Sequence, residues 1–271
     1  MPLLLAERYL PDAPGGPPGA PSLVCFPHAG GWPSMYRDWQ PSLGTTAHVV
    51  PVLLPGRPPR SDEPPCTGME ELVNAVASAL IRTGLTAHYA LFGHSMGALV
   101  AYEVAAELRR RGEPGPVHAF VSASRAPHLG APELLDDLTD EGLYRLVQRL
   151  GGLEGVDDAA ARHYLGPQIA ILRADLTICR NYRWTPRRPL MCPMTGFAAR
   201  HDPLVRSAHV DAWRAHTMNS FLLKHLPGGH FAAATRAGGV VLLRHVRAEL
   251  ERCAAPPRTA QRSAAGGSRY G

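Results

Sequence analysis

Lysine is all but missing from this chain: Lys224 is the only one in 271 residues, so arginine carries the formal net charge of +5. With 27 prolines and many alanines, that bias reads as the mark of a GC-rich coding sequence rather than a nucleic-acid footprint. Basic blocks interleaved with aromatics do not occur. The run Arg109-Arg110-Arg111 falls at a helix end, where cations suit the macrodipole, so no nucleic-acid partner is expected. Nor does any stretch approach 18 consecutive apolar residues, which excludes a helical membrane span. The opening Met1-Pro2-Leu3-Leu4-Leu5-Ala6-Glu7 has no basic leader and meets Glu7 too early for a secretory signal. Five cysteines (Cys25, Cys66, Cys179, Cys192 and Cys253) are scattered without CxxC or Cys/His spacing. They read as reduced thiols of a cytoplasmic protein with no metal site.

What is present is the composition of an ordinary globular enzyme, 45% hydrophobic and 19% charged, long enough to bury one full core. Short apolar runs alternate with helical periodicity. Ser22 to Phe26, Ala47 to Leu54, Tyr89 to Phe92, Val117 to Ala123, Leu190 to Ala198 and Phe221 to Leu226 read as strands. Thr67-Gly68-Met69-Glu70 reads as a capping box opening a helix with Leu72, Val73, Val76 and Leu80 on one face. Ala98 to Arg111 is a second helix. Such alternation predicts an α/β fold with a mostly parallel central sheet and helices on both faces. From about 127 to 184 the strand pattern stops. Leu143, Leu146, Val147 and Leu150 mark one helical face, Ile169, Leu172, Leu176 and Cys179 another, and Thr139 is a candidate N-cap. A helical insertion between two strands of such a sheet is read as a lid.

The chemistry centres on Gly93-His94-Ser95-Met96-Gly97. By itself Gly-x-Ser-x-Gly is a weak pattern, but here a strand leads in and a helix leads out, the setting of a nucleophile elbow. A serine hydroxyl needs a base. His230, in the glycine-rich loop Pro227-Gly228-Gly229-His230-Phe231 just after a strand, is the candidate; His209, His216, His225 and His245 read as packing or surface residues. Asp202 follows the Leu190 to Ala198 strand directly and would orient His230; Asp211 and Asp175 rank below it. The order Ser, acid, His is that of α/β-hydrolases. An oxyanion hole needs two backbone amides, assigned to Met96, after the nucleophile, and Ala29 in Phe26-Pro27-His28-Ala29-Gly30-Gly31, with Gly30 as the alternative. The domain reading is a flexible N-terminal segment (1–21), an α/β-hydrolase domain (22–254) with its lid at about 127–184, and a disordered tail (255–271).

Six motifs in order closely resemble the type II thioesterases of polyketide and nonribosomal peptide biosynthesis. They are Phe26-Pro27-His28-Ala29-Gly30-Gly31, Pro55-Gly56-Arg57, the elbow, Leu172-Arg173-Ala174-Asp175, Asp202-Pro203 and Gly228-Gly229-His230-Phe231. Trp213-Arg214-Ala215-His216-Thr217 also looks like this family. The resemblance spans about residues 22 to 250. It implies hydrolysis of acyl thioesters from the phosphopantetheine arm of an acyl or peptidyl carrier protein, editing stalled acyl groups through Ser95, His230 and Asp202. It implies no cofactor beyond the arm carried by the partner; a monomeric enzyme is expected. Competing readings are a carboxylesterase or lipase of the same fold and a non-catalytic binding protein. Arg57, Arg60, Arg187 and Arg188, basic and in loops, are candidates for carrier docking.

Overall fold

In the computed structural model, residues 8–13, 15–152 and 157–254 are described; the tail at 255–271 and the first seven residues of the N-terminal segment lie outside them. Six strands form one sheet: β1 (Ser22–Phe26), β2 (His48–Pro51), β3 (Tyr89–His94), β4 (Ala119–Ser122), β5 (Met194–Ala199) and β6 (Phe221–Leu226). Their order is β2-β1-β3-β4-β5-β6 and every pairing is parallel. The expected parallel sheet is therefore present.

Because side chains alternate along a strand, each strand feeds two cores. Val24, Phe26, Leu91 and Val121 face α2 (Met69–Arg82) and α3 (Met96–Arg110). Leu23, Cys25, Phe92, Phe120 and Phe197 face α1 (Trp39–Leu43) and α8 (Arg236–Ala254) on the other side. A strand buried on both faces is largely apolar, and β3 to β5 are buried along their whole length, their polar exceptions His94, Ser122 and Thr195 being hydrogen-bonded. The insertion between β4 and β5 folds as α4 (Asp140–Arg149), α5 (Asp158–Leu165) and α6 (Ile169–Asn181). Thr139 caps α4, accepting from the Gly142 amide at 3.1 Å. A short helix, α7 (Ser207–Asp211), precedes β6. Parallel strands place all their C-terminal ends on one edge, where a ligand site of such a fold belongs.

Several local expectations give way. The capping box does not form: α2 starts at Met69 after Gly68, with no side-chain cap. The Leu72 amide reaches the Gly68 carbonyl, one residue later than the box requires, and Glu70 and Glu71 meet the helix dipole instead. β5 starts at Met194 rather than Leu190, because Pro193 brings no amide to the ladder; Leu190 makes only an isolated bridge to Thr217. β2 ends at Pro51, three residues early. The Val52 amide still reaches the Cys25 carbonyl of β1, and the ladder ends at Leu53, whose amide donates to the Tyr9 carbonyl instead. That last bond shows where part of the N-terminal segment lies: Tyr9 and Leu10 are buried in the core beside α2.

Arg60 stacks its guanidinium 4.0 Å over the Tyr9 ring and grips Glu63. It is thus buried, and so is Arg57, which removes both from the surface candidates for docking. Arg187 is held by Glu103, leaving Arg188 as the exposed member of that set.

Candidate active site

The turn after β3 is built by sterics. Ser95 sits at φ 55° and ψ −117°, a region that L-residues rarely adopt. A Cβ on Gly93 would run into the Gly97 and Ala98 backbone, and one on Gly97 into the Phe26 carbonyl. Only glycine fits either position, which is why the elbow carries glycines two residues to each side of its serine. The Ser95 amide donates to the Ser122 carbonyl at 2.8 Å, tying the strained residue to the end of β4.

Asp202 and His230 arrive from the ends of β5 and β6. The Asp202 Oδ1 accepts from the Leu204 and Val205 amides, both at 2.9 Å, which leaves Oδ2 for His230 Nδ1 at 2.8 Å. A carboxylate can only accept here, so the proton sits on Nδ1, and the Ser95 hydroxyl donates to Nε2 at 3.1 Å. Backbone bonds from Arg200 to Leu226 and from His201 to Gly228 hold the two loops together. Both His230 and the Asp202 carboxylate are buried, and Ser95 is half-buried. The structure thus brings together the serine, acid and histidine that chain order had selected. His201 keeps its side chain exposed, and Asp211 pairs with Arg214 at the surface.

The loop after β1 carries a feature that sequence reasoning missed. The Gly30 amide donates to Asp175 Oδ2 at 2.7 Å, and the Arg57 guanidinium pairs with the same oxygen. Arg57 also donates to the Gly31 carbonyl at 2.8 Å and to the Pro55 carbonyl at 3.1 Å. With its amide engaged, Gly30 is not available as the second oxyanion donor. Asp175 is neither a surface residue nor a rival acid but the anchor between α6 and this loop. Burial pushes its carboxyl upward, and the Arg57 charge and the Gly30 amide pull against that. The only hints in the sequence were the motifs Pro55-Gly56-Arg57 and Leu172-Arg173-Ala174-Asp175.

Ser95 and His230 open into a cavity of about 560 Å³, within the usual range for a small-molecule site. Leu146, Val147 and Leu150 of the α4 region, Leu172 and Leu176 of α6, and Leu99 of α3 line it. The helical insertion therefore roofs the serine with aliphatic side chains, suited to an apolar chain. Among the described residues no cluster of three or more metal-ligating side chains occurs, and no helix is long and apolar enough to cross a membrane.

Neutral histidines surround the site. Burial drives His28, whose ring meets that of Phe231 at a tilt, down to about 4, and holds His94, the residue before Ser95, well below its ordinary value. His118 and His216, elsewhere in the core, are also lowered to about 4 by burial. In each case the folded value lies below the unfolded one of about 6.5. The unfolded chain therefore takes up protons first, and stability present above about pH 6.5 is lost as pH falls toward 4. The urea midpoint should drop steeply across this window; a constant midpoint would show that these rings charge freely in the fold.

A thioesterase domain family model matches residues 21–250. RedJ, the thioesterase of the prodiginine pathway in Streptomyces coelicolor, superimposes with a TM-score of 0.82 at 49% identity, covering 87% of this chain and 88% of that one. The thioesterase PikA5 of Streptomyces venezuelae is 35% identical over 218 residues, 79% of this chain and 76% of its own. A protein named linear gramicidin dehydrogenase LgrE, from Brevibacillus parabrevis, is 39% identical over 212 residues, 77% of this chain and 80% of its own.

Proposed function

Since the chain belongs to the thioesterase domain family, we propose that it hydrolyses acyl groups from the phosphopantetheine arm of an acyl or peptidyl carrier protein, with Ser95, His230 and Asp202 as its triad. The observation that carries this is the relay from Asp202 through His230 to the Ser95 hydroxyl, 2.8 and 3.1 Å long, at the wall of an aliphatic cavity. Hydride transfer, which the name of LgrE would suggest, has no use for such a relay, whereas nucleophilic acyl transfer requires one.

In the first half-reaction Ser95 Oγ bonds to the acyl carbonyl carbon while His230 Nε2 takes its proton. The oxyanion that develops is met by the backbone amides of Met96, at the N-terminus of α3, and of Ala29; donors of this kind contribute about 3 kcal/mol each to lowering the barrier. Collapse of the tetrahedral intermediate breaks the carbon–sulfur bond, and His230 returns its proton to the departing arm as a thiol. A thiol leaves readily, so little general-acid help is needed. His230 then deprotonates a water that attacks the acyl-serine, releasing a carboxylic acid and restoring Ser95. Asp202 holds the Nδ1–H tautomer and stabilises the imidazolium through both steps.

PikA5 and RedJ are named as thioesterases, and RedJ is placed in a biosynthetic pathway. On that likeness this enzyme clears stalled acyl groups from the carriers of a polyketide or nonribosomal peptide assembly line. One chain supplies every group named here, and its five cysteines are free thiols; we place it in the cytoplasm as a monomer. The test is a matched pair of substrates, one acyl group on a carrier arm and the same acyl group as an oxygen ester. The carrier thioester should be turned over faster. Faster turnover of the oxygen ester would make the protein an esterase of the same fold.

A further inference from the structure

A second hollow of about 1060 Å³ lies between α2, α3 and the end of α6. It is chemically unlike the first, being lined by Asn74, Glu103, Glu107, Arg109 and Arg183 among others. The two meet along one helix. Met96 and Leu99 of α3 line the catalytic cavity, and Glu103, Ala106, Glu107 and Arg110 line the second hollow. Steps of three and four residues keep all six on one stripe of the helix, so the hollows lie end to end along it. On α6 the same handover occurs. Leu172, Leu176 and Cys179 face the catalytic cavity, and Ile178 and Asn181 the polar hollow.

One side chain outside these two helices borders both spaces: Tyr182, the residue that ends α6. It is buried, and its amide donates to the Ile178 carbonyl at 2.9 Å. Its hydroxyl donates to Glu103, whose carboxylate is gripped by Arg187 through two hydrogen bonds of 2.6 and 2.7 Å. The ring is thus fixed at both ends. Of the two spaces it borders, one is lined by Leu99, Leu176 and Cys179 and the other by Glu103, Glu107 and Arg109.

We infer that Tyr182 is the end wall of the acyl chamber and sets the length of acyl chain the enzyme accepts. This rests on the proposal that the acyl group occupies the cavity beside Ser95. A chain attached at Ser95 runs along the α3 stripe past Leu99 and meets the ring near the level of Glu103. Seven residues of helix place that point about 10 Å beyond Met96, at about 1.5 Å per residue. A longer chain would have to displace the ring from its Glu103 bond or enter a polar space. Tyr182 acts on specificity by shape, and it takes no part in bond making.

The experiment measures kcat/KM for the wild type, Tyr182→Ala and Tyr182→Phe on a series of acyl-carrier thioesters from acetyl to palmitoyl. Tyr182→Ala joins the two hollows, and the ratio of long-chain to short-chain kcat/KM should rise about tenfold or more, the scale on which pocket size discriminates methylenes. Tyr182→Phe keeps the ring and should keep the wild-type chain-length ratio, even though Glu103 loses a donor. If Tyr182→Ala does not fold, as judged by circular dichroism, Tyr182→Leu replaces it with the same expected direction. An unchanged ratio in the folded shortened variant overturns the end wall while leaving the thioesterase reading intact. Failure of the wild type to hydrolyse any acyl-carrier thioester would instead overturn that reading.

Discussion

Ser95→Ala is expected to lower thioester turnover on the order of a millionfold, the loss seen when a triad nucleophile is removed, while the acyl-carrier substrate still binds. The Ser95 hydroxyl donates to His230 Nε2 at 3.1 Å, so its removal frees only that ring nitrogen, and His230 lines the cavity, where water can take the place of the hydroxyl. The backbone strain at φ 55° belongs to the turn and persists with alanine. Thermal stability should therefore stay close to that of the wild type, which separates loss of chemistry from loss of fold. Single-turnover release of the acyl group, followed by mass spectrometry of the carrier, reads the first quantity, and calorimetric titration with acyl-carrier reads binding. Undiminished hydrolysis would remove Ser95 from the mechanism.

The second large effect is expected at the buried pair Arg57–Asp175. Their side chains are 1% and 3% exposed, so removing either leaves the other charged and unpaired in the interior, at a cost of about 3–5 kcal/mol. Arg57→Ala and Asp175→Ala should each lower the urea midpoint accordingly. Replacing both together should cost less than the sum, because no charge is then stranded. Asp175 also holds the Gly30 amide, next to Ala29. Asp175→Asn keeps an oxygen for that amide, so it should retain more kcat than Asp175→Ala when both are assayed under conditions where they are folded. Wild-type stability in the single alanine variants would refute the pairing; equal kcat in the Asn and Ala variants would refute its link to the loop.

These two predictions stand at opposite ends of what a single sequence reveals. The elbow was legible because its signals are local: an apolar strand, glycines at two fixed positions, a helix beginning at once. Asp202 and His230 were legible because each follows a strand directly and the order is fixed by the fold. The Arg57–Asp175 pair spans 118 residues and Gly30–Asp175 spans 145. No periodicity connects positions so far apart, and composition alone made Arg57 look like a surface cation. Tyr9 and Leu10 were hidden for a related reason, since a proline- and glycine-rich neighbour at 11–21 masks a two-residue anchor. Element boundaries failed where a single backbone group decides them, as at Pro193 before β5 and Gly68 before α2. The insertion was legible as helical, but its middle helix, α5, is only eight residues long, too short to show a periodicity, and depends on an N-cap from Asp157.

The parallel sheet has a consequence for how such an enzyme can diverge. Every group assigned to chemistry lies at the C-terminal end of β1, β3, β5 or β6, whereas much of the aliphatic lining of the cavity comes from one contiguous block between β4 and β5. Substitutions within that block can reshape the chamber without entering the sheet or the elbow. Acyl preference can therefore drift within that block while Ser95, Asp202 and His230 stay fixed, provided that Asp175 keeps its hold on the Gly30 amide.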